Sequence, residues 1–341
     1  MSIESYLDEL TDPSKKVAAV GLVQLSSLAS QELDELARRW PEIPTERRRE
    51  VIDLLNGMAE ENPEYDFTLV LCHALHDQES IVRERAVVGL WEVDDRRMIP
   101  RLIQVLEHDP EDAVRASAAS VLGHFAVLAD SGQLVKRDSD RLYQALMGAL
   151  EDDDEPILVR RRALEAVASF RVPDMHAWVQ WAYDHADAEL RQSSLFAMGK
   201  TSDESWLPIA FDELQSDDPA MRYEAVNAIR ELGEADSLVR VARMITDTDP
   251  QVALAAVQAV GVIGGTAARK LLEGLSEGAD DQVIREAAEE ALGVLDAESS
   301  DFSKAQHGLL GIEGEPAEDL PDDVLDDLSD GFLENAQNGE W

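Results

Sequence analysis

SDDPAMRYEAVNAIRELG, residues 216–233, is the stretch from which the fold can be read. It opens on an acidic, proline-containing turn. Asp218 stands four residues before Arg222, where a short polar side chain can accept hydrogen bonds from the free N–H groups of a helix start. Downstream, Ala225, Ala228, Ile229 and Leu232 fall three, six, seven and ten positions past Arg222, the spacing of a buried helical stripe. Gly233 then suits a helix C-cap.

The same phrase recurs along the chain. It reads DQESIVRERA at 77–86, DPEDAVRASA at 109–118, DEPILVRRRA at 154–163, HADAELRQSS at 185–194 and ADDQVIREAA at 279–288. The Arg slot is filled by Arg83, Arg115, Arg160, Arg191, Arg222 and Arg285, with Ala253 in TDPQVALAAV and weaker copies at Ala18 and Arg49. Successive slots are 31, 34, 32, 45, 31, 31, 31 and 32 residues apart. The one long step contains an insertion around 128–138. Four residues before the slot, seven of nine copies carry Ser, Thr or Asp (Ser14, Thr45, Asp112, Asp187, Asp218, Asp249, Asp281). Gly199 and Gly264 read as further C-caps. A second amphipathic segment precedes each capped helix, as in SWLPIAFDELQ and DSLVRVARMIT, and no segment alternates with the period of a strand. The chain is therefore expected to be all-α, a solenoid of about nine stacked two-helix repeats over 1–296, followed by an acidic tail over 297–341. An Arg that recurs in every unit is expected to hold turn carbonyls and neighbouring Asp side chains.

The phrase D-x-x-V-R-x-x-A-x-x-A-L-G resembles HEAT repeats, in particular the short bacterial type named for phycobilisome lyases. The resemblance covers roughly 2–296. It implies the solenoid fold and leaves function open, because the family holds scaffolds, lyases and oxygenases.

Composition narrows the functions. With 71 acids against 30 bases the formal charge is −41. Such a chain repels nucleic acid and anionic membranes on average and favours basic or mixed protein surfaces. Its Arg-rich clusters, Arg47–Arg49, Arg96–Arg97, Lys136–Arg137 and Arg160–Arg162, are interrupted by acids. Neither nucleic acid nor membrane is expected as a partner. Cys72 is the single cysteine, so no internal disulfide can form, and no signal peptide or 18-residue apolar run is present. A cytoplasmic monomer is expected.

The residues that could carry chemistry are few. HEAT-type deoxyhypusine hydroxylases hold two irons through His-Glu dipeptides. Here the seven histidines, at 73, 76, 108, 124, 176, 185 and 307, are followed by Ala, Asp or Gly and once by Phe. Cys72, His73, His76 and Asp77 are the one compact group of metal-ligating types, and they read as a polar helix end. No nucleophile elbow, P-loop or dinucleotide fingerprint occurs. The expectation is thus no metal, no cofactor and no catalysis: a protein-interaction scaffold or assembly factor. The alternative is a phycobilin-lyase-like protein that handles a cofactor, which rests on the resemblance.

In such solenoids the second helix of each unit lines the concave face. Its exposed positions lie one and five residues past the Arg slot, which gives Arg161 and Glu165, Gln192 and Phe196, Tyr223 and Asn227, Leu254 and Gln258. This mostly uncharged strip is the expected contact face for a protein partner, with Arg161, Gln192, Phe196, Tyr223, Asn227, Leu254 and Gln258 as its residues. In the tail, Val324, Leu325, Leu328, Phe332 and Leu333 alternate with acids at near-helical spacing, a candidate short amphipathic motif in a segment otherwise read as disordered. Segment 296–341 carries 14 acids and one Lys.

Overall fold

The computed structural model describes residues 3–308, apart from 92, 171, 173 and 234. Among these residues there are eighteen α-helices and no strand, and the helices form nine successive pairs. The pairs are α1 (Ile3–Thr11) and α2 (Ala19–Leu22); α3 (Ser30–Arg39) and α4 (Thr45–Glu61); α5 (Thr68–Ala74) and α6 (Ser80–Val88); α7 (Ile99–His108) and α8 (Asp112–Asp130); α9 (Lys136–Glu151) and α10 (Ile157–Val167); α11 (Met175–Tyr183) and α12 (Ala188–Lys200); α13 (Leu207–Glu213) and α14 (Pro219–Leu232); α15 (Leu238–Ala242) and α16 (Pro250–Ile263); α17 (Gly265–Gly278) and α18 (Gln282–Gly308). The chain is an all-α solenoid of two-helix repeats. It divides into two compact units, the first ending at Trp178 and the second beginning at Val179, inside α11. No helix among the described residues is long and apolar enough to cross a membrane.

The recurring Arg explains how each repeat closes its turn. Arg83 donates from Nη1 to the carbonyls of Asp77 and Gln78 at 2.9 and 3.1 Å, and grips the Asp109 carboxylate from Nε and Nη2 at 2.7 and 2.9 Å. Arg222 repeats this arrangement on Ser216, Asp217 and Asp247. Arg115 bonds the Asp109 carbonyl and Glu155, and Arg285 the carbonyls of Ala279 and Asp280. Turn carbonyls left without a partner would be costly at a buried helix junction. One planar guanidinium satisfies them and still reaches the next repeat's carboxylate.

Three details differ from the sequence expectation. In the second pair the buried guanidinium is Arg48, not Arg49. Helix α4 starts directly after Pro44, which rotates Arg48 inward, bonded to the Ile43 carbonyl and Asp77, while Arg49 pairs with Glu46 at the surface. Capping by the residue four before the slot holds for Asp187, Asp218, Asp249 and Asp281, whose Oδ1 atoms accept backbone N–H groups at 2.8–2.9 Å. Thr45 and Asp112 instead lie inside the first helical turn, because those helices begin one residue earlier. In the Asp112 helix and in two other repeats, the entry is shaped by a carboxylate two residues upstream of the N-cap: Asp77, Asp109 and Asp247 accept from the N–H of Glu79, Glu111 and Asp249. His185 Nδ1 performs the same task for Asp187. Finally, Gly199 is no C-cap. It lies within α12, where a Cβ would meet Ala228 Cα of α14 at 3.1 Å. Gly261 faces Ala291 in the same way, at 2.8 Å. These glycines let successive second helices approach closely.

The insertion is mostly helical. It lengthens α8 to 19 residues and α9 to 16, with residues 131–135 as the connection. Helix α18 continues past 296 to Gly308, and the tail motif Val324, Leu325, Leu328, Phe332 and Leu333 lies outside the described residues.

The Arg–Asp interlocks make stability depend on pH. Burial raises the pKa of the Asp247 carboxyl, but the bonds from Arg222 and from the Asp249 N–H outweigh it and hold the group below the usual carboxylate range. A depressed carboxylate stabilises the fold above its unfolded pKa, near 4, and that contribution is lost as pH falls further. Urea midpoints measured from pH 5 to 3 should fall more steeply for wild type than for Asp247→Asn. Parallel curves would remove this interlock from the account.

Candidate partner-binding clefts on the second helices

In the first unit, α6, α8 and α10 frame a cleft of about 310 Å³. Its walls are Val88 and Trp91, each 49% exposed, and Leu158, 38% exposed. Its floor is Ala116, Ser117 and Ser120 of α8, residues too short to fill the space between those walls. Glu84 and Arg162 supply opposite charges at the rim, and Arg162 also donates to Glu165 at 2.6 Å. The Trp91 ring is tilted against His124, whose Nε2 lies 2.5 Å from Asp94 Oδ1.

In the second unit, α12 and α14 frame a cleft of about 240 Å³. Phe196, Tyr223 and Asn227, all named from sequence, line it together, with Gly199 and Ala228 at its base. The Lys200 ammonium stands 5.5 Å from the Phe196 ring centroid, a cation–π contact, and lies 3.6 Å from Glu231. Tyr223 is 37% exposed. Gln192 sits one turn earlier on α12 and donates to Glu224 at 3.5 Å. Leu254 is half-buried and Gln258 exposed on α16, and neither lines this cleft. Arg161, half-buried on α10, does not line the first-unit cleft, where Arg162 stands instead.

Val88, Trp91 and Leu158 were missed in the sequence. Applying the same positional rule at Arg83 gives Glu84 and Val88. Trp91 was also legible. It occupies the slot eight past the Arg, where other repeats place Gly123, Gly199, Gly261 and Gly293. At Gly123, Gly199 and Gly261 this slot lies in close contact with the following second helix, whereas the bulky Trp91 indole is half exposed.

The group around Cys72 is dispersed. Cys72 is buried beside Met98 Sδ, and burial pushes its thiol pKa up. His73 packs edge-on against Trp40, and Asp77 is held by Arg48 and Trp40. Among the described residues no three His, Cys, Asp or Glu side chains are placed to hold a metal ion.

The family model for HEAT repeats matches residues 68–168, 175–244 and 207–293, more than half of the chain. The chain is a HEAT-repeat protein. Among curated proteins it is similar to deoxyhypusine hydroxylase of Mus musculus, 28% identical over 125 residues, which is 36% of this chain and 41% of the mouse enzyme. It is also similar to the Homo sapiens enzyme, 28% identical over 102 residues, covering 29% and 34%. The HEAT-repeat chain thus spans about two fifths or less of the length of these relatives. Among solved structures it resembles the complex of CpcE and CpcF of phycocyanin lyase from Nostoc sp. PCC7120, with TM-score 0.50 and 16% identity over 84% of this chain and 96% of that one. That likeness shows the fold alone.

These findings correct the functional expectation. The curated relatives are enzymes, which overturns the reading of a non-catalytic scaffold and assembly factor. The lyase alternative gains nothing from a likeness of fold. The hydroxylase relationship implies a two-iron centre, and the donor set of this HEAT-repeat protein does not fit one. None of its histidines precedes a Glu. Of those outside the Cys72 group, His124 is committed to Asp94 and His185 to its own turn.

Proposed function

We propose that this HEAT-repeat protein binds a protein partner with a basic or mixed surface on the second-helix face of its repeats. The observation that carries the reading is the exposure of Trp91, Val88 and Leu158 around one hollow, with Phe196 and Tyr223 around another. Elsewhere the surface is dominated by acids, in keeping with a charge of −41. Aromatic side chains seated in such hollows typically anchor interfaces, and the charges beside them, Glu84 and Arg162 at the first and Lys200, Glu224, Arg230 and Glu231 at the second, can pair with a mixed partner surface. The surrounding acids steer a basic partner toward them. A cytoplasmic monomer belongs to the same reading, supported by a single cysteine, which is buried.

Trp91→Ala and Tyr223→Ala test it. Each removes an exposed ring, so each should leave the urea midpoint nearly unchanged. Each should weaken capture of the partner from native extract by tenfold or more, the scale of an anchor residue worth about 2 kcal/mol. Full retention of the partner by both variants would count against the second-helix face.

The curated relatives favour a second reading, in which the bound protein is a substrate to be hydroxylated. Iron analysis of the purified protein tests this reading: stoichiometric iron would support hydroxylation, and iron-free protein would count against it.

A further inference from the structure

A cleft of another kind, about 330 Å³, is lined by residues at the ends of α5 and α7 in the first unit. Arg101 and Gln104 of α7 and His108 at its end line one side, three and four residues apart and so on one helix face. His76, just past α5, lines the other. All four are exposed, and no hydrogen bond or ion pair among the described residues engages their side chains. The two acids in the cleft are already used. Asp77 accepts from Arg48 and Trp40, and Asp109 from Arg83.

We propose that this cleft is an oxyanion-binding site, taking a phosphoryl or carboxylate group with Arg101 as the charged anchor and His76 and His108 as flanking donors. The guanidinium offers paired N–H groups that match two oxygens of such an anion. The committed state of Asp77 and Asp109 leaves these three groups, with the Gln104 amide, as the unengaged polar side chains lining the space. The overall charge of −41 opposes anions. At about 0.15 M salt, however, that field is screened beyond roughly 8 Å, so local groups decide. This site is independent of the second-helix face.

The test is a histidine-ring NMR titration of the full-length protein at fixed ionic strength. Inorganic phosphate and acetate are added separately, and the signals are assigned with His76→Asn and His108→Asn. Saturable shifts of the His76 and His108 signals are expected, with affinity at least tenfold weaker in Arg101→Gln and unchanged in Arg141→Gln, an exposed control on α9. Saturation by phosphate alone identifies a phosphoryl site, by acetate alone a carboxylate site, and by both a general oxyanion site. Arg101 is exposed, so its variant is expected to fold, which the thermal midpoint verifies. Non-saturating shifts, or shifts equal in wild type and Arg101→Gln, would overturn the proposal.

Discussion

Asp77→Ala lowers the stability of the first unit by about 3–5 kcal/mol, the usual cost of leaving a buried charge without its partner. Asp77 ties two repeats together. Its Oδ2 accepts from Trp40 Nε1 at 2.6 Å and lies 2.8 Å from Arg48 Nε, while its Oδ1 accepts from Arg48 Nη2 at 3.0 Å and from the Glu79 N–H at 2.9 Å. The two side chains are 1% and 9% exposed, so water cannot replace the lost carboxylate. The cost arises from stranding Arg48, and not from losing a strong bond, so Arg48→Met/Asp77→Ala should recover part of it. Urea unfolding of the two single variants and the double measures this directly. A loss within 0.5 kcal/mol, the range of ordinary surface substitutions, would show that the interlock is not a stabilising element.

Gly199→Leu is the second large effect, and it joins stability to the site. A Cβ at 199 would stand 3.1 Å from Ala228 Cα and 3.5 Å from Glu231 Cβ. For alanine, the tight contact is offset by the roughly 1 kcal/mol that leaving glycine gains in a helix, so Gly199→Ala should be near neutral. Leucine adds three carbons against the backbone of α14, which cannot move aside like a flexible side chain. Overpacking of this kind costs about 1–3 kcal/mol, and it should also spread α12 from α14 and reshape the cleft around Phe196 and Tyr223. The variant should therefore lose partner binding together with part of its stability. Unaltered binding in a destabilised Gly199→Leu protein would separate that cleft from recognition.

The repeat was legible because one physical requirement recurs at fixed spacing. Each turn needs its carbonyls closed and each second helix needs an apolar stripe, so Arg83, Arg115, Arg222 and Arg285 announce the fold from sequence. What escaped was set by three-dimensional phase. Arg48 and Arg49 are adjacent and chemically alike, and only the helix start after Pro44 decides which is buried. Gly199 reads equally well as a helix end or as a contact point, and the choice depends on how close α14 comes. The sequence marks an insertion around 128–138 but not its conformation, and most of the extra residues extend α8 and α9.

The site was legible in part. Phe196, Tyr223 and Asn227 follow from counting along the helix, since helical geometry alone places them on one face. The hollow beside Trp91 does not follow from counting. It depends on small α8 residues lying opposite Val88 and Leu158, a relation between three helices that sequence spacing does not encode. The mismatch with a di-iron donor set rests on residue identity, because ligand type is a property of sequence even where geometry is not.

The central claim, that a protein partner sits on the second-helix face, is tested most directly by amide hydrogen exchange of the full chain with and without its captured partner. The account predicts slowed exchange in α6, α8 and α10 of the first unit and in α12 and α14 of the second, with the first helices α5, α7 and α13 unchanged. Protection confined to the first helices, with α8 and α14 exchanging as in the free protein, would contradict it.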